Sequence, residues 1–258
     1  MQAVILAGGL GTRLSEETTI KPKPMVEIGG RPILWHIMKI YSSQGINDFI
    51  ICCGYKGYMI KEYFANYFLH ESDVTFDIRN NAMTVHENAA DDWKVTLVNT
   101  GDHSGTGGRL LYIRKYLDKG TFLLTYGDGV ANVDINKLLE FHRSQGTKAT
   151  LSAVQPPGRF GAFKLSADKS KIEHFREKPK GDGAWVNGGF FALEPEALDY
   201  VEHEGIFWEA EPLSALAEDG ELSAYKHDDF WYAMDTLRDR NVLDDMWSKG
   251  KAPWKIWD

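Results

Sequence analysis

Residues 3–13 read AVILAGGLGTR, a short apolar run that passes directly into a loop containing three glycines. An apolar run of this length that ends at a glycine-rich turn is typical of a buried strand that brings a loop to the edge of a sheet. We therefore predict that the chain begins with a buried strand over Ala3 to Leu6. The loop after this strand is the first candidate for a binding site.

Helices and strands alternate along the part of the chain that follows this loop. Pro32 precedes apolar residues at helical spacing and Gly45 ends the segment, which predicts a helix between them. Further strands are predicted at 48–53, 121–125 and 149–154, and further helices around 60–68 and 138–139. Alternation of this kind indicates an α/β fold with a Rossmann-like, doubly wound and mainly parallel sheet.

Two segments break the alternation and predict antiparallel hairpins attached to the main sheet. Residues 73–87 alternate in polarity on both sides of Asn80-Asn81, and residues 162–176 do so around Ser166-Ala167-Asp168. After residue 195 helices dominate, apart from a strand near 222–226. Because no linker-like segment or internal repeat interrupts the chain, residues 1–258 are expected to form a single domain.

The composition excludes several classes of protein. Of the 258 residues, 43% are hydrophobic and 26% are charged, so a disordered or low-complexity chain is excluded. The 29 Lys and Arg against 37 Asp and Glu give a formal net charge of -8, which would repel phosphate backbones at long range. We expect no binding to nucleic acid. The eight histidines do not cluster with carboxylates at ligand spacing, so no zinc site is expected either.

The two cysteines, Cys52 and Cys53, are neighbours within a predicted buried strand. They cannot build a disulfide framework, and as small hydrophobic residues they suit a reducing compartment. No basic segment precedes the first apolar run, and no apolar run approaches the roughly 20 residues of a membrane span. A cytoplasmic protein without a membrane partner is therefore expected.

The loop at residues 8–13 has the composition of a phosphate-binding loop. Its three glycines let backbone N–H groups approach an oxyanion, and Arg13 adds a planar positive charge. A Walker loop would need Gly-Lys-Ser/Thr after four spacer residues, and a dinucleotide-binding fingerprint would need glycine where Leu14 stands. Both of those motifs are excluded. Without the dinucleotide-binding fingerprint, a dehydrogenase is excluded as well. A plain tight turn after the strand is the remaining structural alternative.

A lysine between two prolines follows ten residues later, in Lys21-Pro22-Lys23-Pro24-Met25. The prolines fix φ on both sides of Lys23 and so restrict the loop that carries it. A lysine held in this way close to a phosphate-binding loop would supply a fixed positive charge. The alternative is an exposed proline turn with a solvated lysine.

Residues 6–13 followed by Pro22-Lys23-Pro24 resemble the signature of the sugar-1-phosphate nucleotidyltransferases, also called nucleotide-sugar pyrophosphorylases. The resemblance covers the whole chain, because further motifs follow in the family's order: Tyr126-Gly127-Asp128-Gly129, Arg176-Glu177-Lys178-Pro179, Asn187-Gly188-Gly189 and Met234-Asp235-Thr236. Residues 11–29 resemble the cytidylyl branch in particular. Thymidylyl and uridylyl relatives usually carry proline where Glu16 stands.

This resemblance implies a reaction between a nucleoside triphosphate and a sugar 1-phosphate that releases pyrophosphate. For the cytidylyl branch the substrates are CTP and α-D-glucose 1-phosphate, and the product is CDP-glucose, a precursor of dideoxy sugars in the O-antigen of bacterial lipopolysaccharide. The attacking phosphate oxygen is already an anion, so no general base is required. Catalysis should therefore depend on Arg, Lys and Mg²⁺ rather than on His or Ser.

The resemblance also implies a role for each matching residue. Nucleotide binding is expected from Leu6, Ala7, Gly8, Gly9, Leu10, Gly11, Thr12, Arg13, Lys23, Ser104, Arg109 and Gly127. Sugar-phosphate binding is expected from Glu177, Lys178, Asn187, Gly188 and Gly189. Arg13 and Lys23 are the expected catalytic residues, and Asp128 and Asp235 are expected to hold Mg²⁺.

Structural alternatives exist for several of these residues. Asp128 could be an ordinary turn residue in Gly-Asp-Gly, and Asp235 could cap the helix that begins near Thr236. Glu177 and Lys178 could form a surface ion pair after a hairpin. Without the resemblance, the turn and cap would be the better predictions for the two aspartates.

The base is expected to lie against the loop at residues 101–109, whose Arg109 precedes a helix. Cytosine presents an amino donor at N4 where uracil and thymine present an O4 acceptor, so a CTP site should offer acceptors. A thymidylyl- or uridylyltransferase acting on glucose 1-phosphate differs only in such contacts and is the main alternative. A non-catalytic regulatory subunit is more distant, because such chains should lose the charged site residues first.

The two halves of the domain are expected to divide the work, with residues 1–130 mainly binding the nucleotide and 131–258 mainly binding the sugar phosphate and forming oligomer contacts. A homo-oligomer is expected from the family resemblance and from the tryptophans near the C-terminus. We expect these tryptophans to pack either in the core or against another subunit; they are Trp247, Trp254 and Trp257.

Overall fold

A computed structural model describes residues 1–11, 14–156, 162–165, 172–176 and 184–257. The strands are β1 Gln2–Ala7, β2 Glu27–Ile28, β3 Arg31–Pro32, β4 Asp48–Cys53, β5 Ser72–Asp77, β6 Ala82–Asn88, β7 Lys94–Asn99, β8 Phe122–Tyr126, β9 Gly129–Ala131, β10 Ala149–Val154, β11 Ala162–Leu165, β12 Ile172–Arg176, β13 Val186–Leu193, β14 Leu222–His227 and β15 Trp231–Ala233. The helices are α1 Ser15–Thr18, α2 Ile33–Ser42, α3 Gly57–His70, α4 Thr106–Ile113, α5 Ile135–Gln145, α6 Glu211–Glu218 and α7 Leu237–Ser248. Among these helices and the rest of the described chain, none has the length and apolar character needed to cross a membrane.

Seven strands form the central sheet in the order β14-β10-β13-β8-β1-β4-β7. All neighbouring pairs are parallel except those of β13, which runs antiparallel to both β10 and β8. The parallel strands β8, β1 and β4 end side by side, since Leu6 pairs with Tyr126 and Ala7 with Cys53. The predicted α/β fold with a mainly parallel sheet is confirmed.

The two faces of the sheet pack against separate hydrophobic cores. Along β1, Ala3 and Ile5 face one core and Val4 and Leu6 the other, as expected for a strand whose side chains alternate between two covered faces. Helices α2, α5 and α7 contribute to the first core, and α4 and α6 contribute to the second. Burial of each large apolar side chain stabilises the fold by about 1.5–3 kcal/mol. Because both faces of the sheet carry such side chains, helices cover both faces, which is the doubly wound arrangement.

Most predicted elements lie where the sequence pattern indicated. The strands at 48–53 and 149–154 have the predicted bounds, and β5 and β6 form the predicted hairpin at 73–87. Strands β11 and β12 also pair antiparallel, although the predicted turn between them, at residues 166–168, lies outside the described residues. The hairpin prediction therefore holds in both places for the strands themselves.

Six strands, β2, β3, β7, β9, β13 and β15, were missed by the sequence analysis, and two of them, β13 and β15, bear on the candidate site. The antiparallel pairs were expected only in hairpins, yet β13 runs antiparallel through the middle of the main sheet. It begins near Gly188-Gly189, and glycine weakens the sequence signal of a strand. The other is β15, which lies in a region predicted to be helical and pairs with β9. Both strands turn out to carry residues of the candidate site.

The C-terminal tryptophans pack inside the chain. Trp254 is fully buried, and its Nε1–H donates to Nδ1 of His36 at 3.3 Å. Nε2 of His36 lies 2.8 Å from the carbonyl oxygen of Ile28, so the ring is neutral with its proton on Nε2. The Trp247 ring lies edge-on to the same imidazole, with 4.5 Å between ring centroids. These rings fasten the C-terminal segment to α2.

Acid should weaken the folded state through His36. Burial lowers the pKa of His36 to about 4 from an ordinary value of 6.5. The folded protein therefore favours the neutral ring, and this advantage is present above pH 6.5 and lost as the pH falls toward 4. The free energy of unfolding should drop by about 3 kcal/mol over that window because of this residue.

Urea unfolding at pH 7.5 and pH 4.5 measures this loss. A His36→Gln variant should be less stable at pH 7.5 and should show a pH dependence smaller by about the same 3 kcal/mol. A control variant, His70→Gln, alters an exposed histidine at the end of α3 and should keep the full dependence. Equal pH dependence in the wild type and His36→Gln would contradict the assignment.

The two cysteines are buried in β4, and both thiols are free. Burial raises the pKa of both thiols, that of Cys53 to about 11. Thiols of this kind are unreactive at neutral pH. They pack as small hydrophobic side chains, as predicted.

Candidate active site

The carboxyl ends of β1 and β8 open onto a cavity of about 610 Å³. Open α/β sheets commonly bind ligands at this edge, where loops from several strands converge. The cavity is lined by Leu6, Ala7, Gly8, Gly9, Lys23, Pro24, Ser104, Thr106, Arg109, Tyr126, Gly127, Asp128, Val186, Asn187, Phe207 and Glu209.

A smaller cavity of about 220 Å³ shares two of these residues, Tyr126 and Asp128. It is also lined by Gly188, Gly189 and Asp235. The structure thus brings together twelve of the residues expected from the family resemblance, from segments distant in sequence: Leu6, Ala7, Gly8, Gly9, Lys23, Ser104, Arg109, Gly127, Asp128, Asn187, Gly188 and Gly189, with Asp235 beside them.

Several predicted site residues are not among those that line the two cavities. Leu10 and Gly11 belong to the glycine loop but do not contribute to the wall of either one. Thr12, Arg13, Glu177 and Lys178 lie outside the described residues. Their roles stay predictions.

Glycine is required at two positions of the loop for different reasons. At Gly8 a Cβ atom would lie 2.1 Å from Nη1 of Arg109 and 2.9 Å from the backbone nitrogen of Gly54. Gly11 has φ of 64°, in the left-handed region, and its carbonyl accepts a hydrogen bond from Thr18 Oγ1 at 3.0 Å. At Gly9, by contrast, a Cβ would meet open space. The loop is therefore shaped by packing at its two ends and is open to the cavity in the middle.

Arg109 holds the glycine loop against the loop that follows β7. Its guanidinium is buried and donates to Gly8 O at 2.8 Å, to Gly101 O at 2.9 Å and to Thr100 Oγ1 at 2.6 Å. Burial lowers the pKa of this guanidinium. Arg109 thus joins two loops through backbone carbonyls, and its predicted contact with the base stays a prediction.

Lys23 lines the cavity beside Asp128. It begins a short 3-10 turn over Lys23–Met25, and its side chain is only 11% exposed. Its Nζ donates to Asp128 Oδ2 at 2.7 Å and to Asp235 Oδ1 at 2.8 Å. Burial by itself would lower the pKa of Lys23, but the charges and hydrogen bonds of the two aspartates outweigh it and the pKa is raised. The alternative of a solvated lysine on a surface turn is excluded.

The two aspartates meet because two short strands pair. Asp128 lies in the turn between β8 and β9, and Asp235 follows β15. Strand β15 pairs with β9, and Met234 N donates to the Asp128 carbonyl at 2.8 Å. Asp235 is not the cap of α7, because Thr236 takes that position and forms a capping box with Asp239. The helix-cap alternative for Asp235 is therefore wrong.

The carboxylate donors of Asp128 and Asp235 fit a magnesium ion. Carboxylate oxygens of Asp128 and Asp235 surround one point, the position of the Lys23 ammonium. Mg²⁺ is commonly held by one or two carboxylates together with waters and substrate phosphates. Within the described part of the chain, no cluster of three or more His, Cys, Asp or Glu side chains could hold a metal. A metal here would therefore depend on ligands from the substrate.

The first residues of β13 form the opposite wall of the site. Asn187 Nδ2 donates to the Tyr126 hydroxyl at 3.1 Å, and Asn187 Oδ1 accepts from Gly189 N at 2.8 Å. Gly189 has φ of 78°, and a Cβ there would lie 2.4 Å from the Tyr126 ring. Trp231 Nε1 donates to the Gly188 carbonyl at 2.6 Å. This wall is shaped by glycine and fixed by side-chain hydrogen bonds.

Sequence reasoning missed the segment that closes the cavity, residues 204–209. Phe207 and Glu209 line the cavity, and Thr106 Oγ1 donates to Glu209 Oε2 at 2.6 Å. A usable signal was present in the loop at 101–109. At Gly105 a Cβ would lie 2.1 Å from the Ile206 carbonyl oxygen. The four glycines of this loop, at 101, 105, 107 and 108, indicate that another segment of backbone approaches closely, although they do not identify that segment.

The chain was compared with known proteins. A sequence model of the nucleotidyl transferase family matches residues 2–236. The glucose-1-phosphate cytidylyltransferases of Salmonella typhi and of Salmonella typhimurium strain LT2 are each 62% identical to this chain over 259 aligned residues, covering all of both proteins.

Solved structures with low sequence identity share the fold. The crystal structure of HddC from Yersinia pseudotuberculosis aligns with a TM-score of 0.69 at 24% identity, over 95% of this chain and 99% of that one. A structure from Bacillus anthracis aligns with a TM-score of 0.71 at 17% identity, over 100% of this chain and 97% of that one.

Proposed function

Because this chain belongs to the nucleotidyl transferase family, and its 62% identical relatives are glucose-1-phosphate cytidylyltransferases, we propose that it transfers CMP from CTP to α-D-glucose 1-phosphate. The products are CDP-glucose and pyrophosphate. The observation that carries the proposal is the buried Lys23 ammonium, held by Asp128 and Asp235 beside a glycine loop in a cavity large enough for a nucleotide. It is the arrangement of charge that phosphoryl transfer requires.

In the proposed reaction a phosphate oxygen of glucose 1-phosphate attacks the α-phosphorus of CTP. A new O–P bond forms in line with the bond to the β-phosphate, which breaks and carries its electron pair away on pyrophosphate. No proton has to be removed from the nucleophile, because a sugar phosphate is an anion at neutral pH. The protein therefore contributes orientation and positive charge.

Lys23 supplies a positive charge at the reacting phosphate. In the free protein its ammonium is held by two carboxylates, which keeps it protonated and close to the cavity. Gly8 and Gly9 line the same cavity, and their backbone amides would bind the phosphate chain together with Arg13. Arg109 acts on the reaction indirectly, by fixing the carbonyl of Gly8 and so the path of the loop.

Asp128 and Asp235 are the residues that would hold Mg²⁺ in the loaded enzyme. A bound Mg²⁺ neutralises charge on the triphosphate and on the leaving pyrophosphate. Asn187, the backbone of Gly188 and Gly189, and the Glu177-Lys178 pair bind the glucose 1-phosphate. The neighbouring cavity, lined by Gly188 and Gly189 beside Asp128, supports this division of the site.

Some broader assignments follow from the same proposal. The chain acts as one domain, with nucleotide binding mainly in residues 1–130 and sugar-phosphate binding mainly in 131–258. We infer that the protein is cytoplasmic and forms a homo-oligomer. Light scattering at micromolar concentration tests the oligomeric state. The product would supply dideoxy-sugar synthesis for O-antigen.

Pyrophosphate release measures the proposed function directly. Purified protein is supplied with Mg²⁺, glucose 1-phosphate and one of CTP, UTP, dTTP, ATP or GTP. We expect the highest kcat/KM with CTP. A preference for UTP or dTTP would discard the cytidylyl assignment and leave the mechanism intact. No release with any nucleotide would indicate a non-catalytic subunit.

A further inference from the structure

We propose that Glu209, which the family signature does not include, recognises a hydroxyl group of the sugar. This inference rests on the proposed function, because it assumes that a sugar phosphate and a nucleotide share the cavity. Glu209 lies just before α6, and its carboxylate lines the cavity together with Tyr126 and Asn187. It adds a further negatively charged acceptor to the wall of the cavity.

Hydrogen bonds hold the Glu209 carboxylate in place. Trp208 N donates to Thr106 Oγ1 at 2.9 Å, and Thr106 Oγ1 donates to Glu209 Oε2 at 2.6 Å. Burial together with the charge of the neighbouring Glu209 carboxylate raises the pKa of the Tyr126 phenol. A carboxylate held by Thr106 in this way is pre-organised to accept a further hydrogen bond, since its two oxygens offer about four acceptor sites.

A carboxylate in this cavity must face a neutral donor. It repels the phosphate groups of both substrates, whereas the Lys23 ammonium in the same cavity attracts them. The neutral donors that remain are the hydroxyls of glucose, those of ribose and the amino group of cytosine. Glu209 has to accept from one of these groups when the site is full.

The neighbours of Glu209 favour the sugar. Glu209, Tyr126 and Asn187 line the same cavity, and Asn187 Nδ2 donates at 3.1 Å to the Tyr126 hydroxyl whose pKa the charge of Glu209 raises. Asn187 is the second residue of β13, which forms the wall that is proposed to bind the sugar phosphate. Val186 and the 59% exposed Phe207 line the cavity beside these polar groups. An apolar surface next to fixed acceptors suits a hexose, which has apolar C–H faces and hydroxyl groups at its edge.

Binding of the product separates the sugar from the nucleotide without turnover. Calorimetric titrations with CDP-glucose and with CDP compare the wild type and Glu209→Gln. Loss of one charge-assisted hydrogen bond should raise the Kd for CDP-glucose about 10- to 100-fold. The Kd for CDP should stay unchanged, because CDP lacks the hexose. Steady-state kinetics should show the matching rise in KM for glucose 1-phosphate, with KM for CTP unaltered.

Two further variants control for effects on folding and charge. Glu211→Gln removes an equal charge two residues away, where the exposed side chain does not line either cavity, and should bind CDP-glucose like the wild type. Glu209→Asp keeps the charge but withdraws it by one methylene and should show an intermediate loss. Thermal unfolding of each variant establishes that it is folded.

The remaining outcomes overturn the proposal in distinguishable ways. Equal weakening of CDP and CDP-glucose in Glu209→Gln would assign Glu209 to the nucleotide, and no change in either would leave it without a ligand. If the wild type prefers UDP-glucose to CDP-glucose, the cytidylyl assignment fails, and UDP-glucose with UDP then provides the same test of Glu209. If it binds no nucleotide sugar, both proposals fail together.

Discussion

Replacing Lys23 by methionine should lower kcat about 10²- to 10³-fold, the loss typical when one preorganised charge or donor is removed from a transition state. Methionine keeps most of the apolar length of the lysine stem. The loss can therefore be attributed to the ammonium, which is held at 2.7 and 2.8 Å by Asp128 and Asp235 in the free protein. Single-turnover measurement of CDP-glucose formation separates this effect from product release.

The same Lys23→Met variant should bind a divalent cation more tightly than the wild type when no nucleotide is present. The lysine ammonium neutralises the two carboxylates and competes with a cation for them. Mn²⁺ titration followed by electron paramagnetic resonance measures free and bound metal directly and does not depend on activity. Unchanged Mn²⁺ affinity would show that Lys23 does not compete for the two aspartates.

Lys21 offers a matched control on the same loop. Its ammonium pairs with Glu27 at 2.8 Å in a partly exposed position and lines neither cavity. A Lys21→Met variant should therefore keep turnover and Mn²⁺ affinity close to those of the wild type. Equal losses in the two variants would mean that general charge near the loop, and not the position of Lys23, supports the reaction.

The elements that sequence patterns predicted well are those with an unambiguous period. Strand 48–53 is apolar along nearly its whole length because both of its faces are covered, and it was predicted with the observed bounds. Strand β13 opens with Val186-Asn187-Gly188-Gly189, which looks like a loop. Its position in the sheet depends on β8 and β10, which lie on either side of it and far from it in sequence.

The sequence identified many residues of the candidate site but not the contacts between them. Lys23, Asp128 and Asp235 were identified from motifs, but their meeting depends on the pairing of β9 with β15, and β15 was missed. Arg109 was identified as well, yet its acceptors include the carbonyls of Gly8 and Gly101, which every residue possesses and no motif can display. Backbone acceptors and long-range pairings become visible only once the chain is folded.

Replacing Asp128 by asparagine should lower kcat about 10²-fold or more, because it removes one of the two carboxylates around Lys23 and half of the protein's proposed ligands for Mg²⁺. The pKa of Lys23 should fall, since Asp128 contributes to raising it through its charge and its hydrogen bond. Mn²⁺ affinity should decrease, opposite in sign to the change in Lys23→Met. An Asp118→Asn variant, altered at an exposed position, should behave like the wild type in both measurements.

The double variant Lys23→Met/Asp128→Asn decides whether these residues act as one unit. If the ammonium and the carboxylates act together, the first substitution already abolishes most of their joint contribution, and the second adds little further loss. The combined loss in kcat should then be far smaller than the product of the two single losses. Residues with independent roles would give losses that multiply. We expect the smaller loss, because each group is positioned by the other at 2.7 Å before any substrate binds. A fully multiplicative loss would contradict that shared role while leaving each single prediction standing.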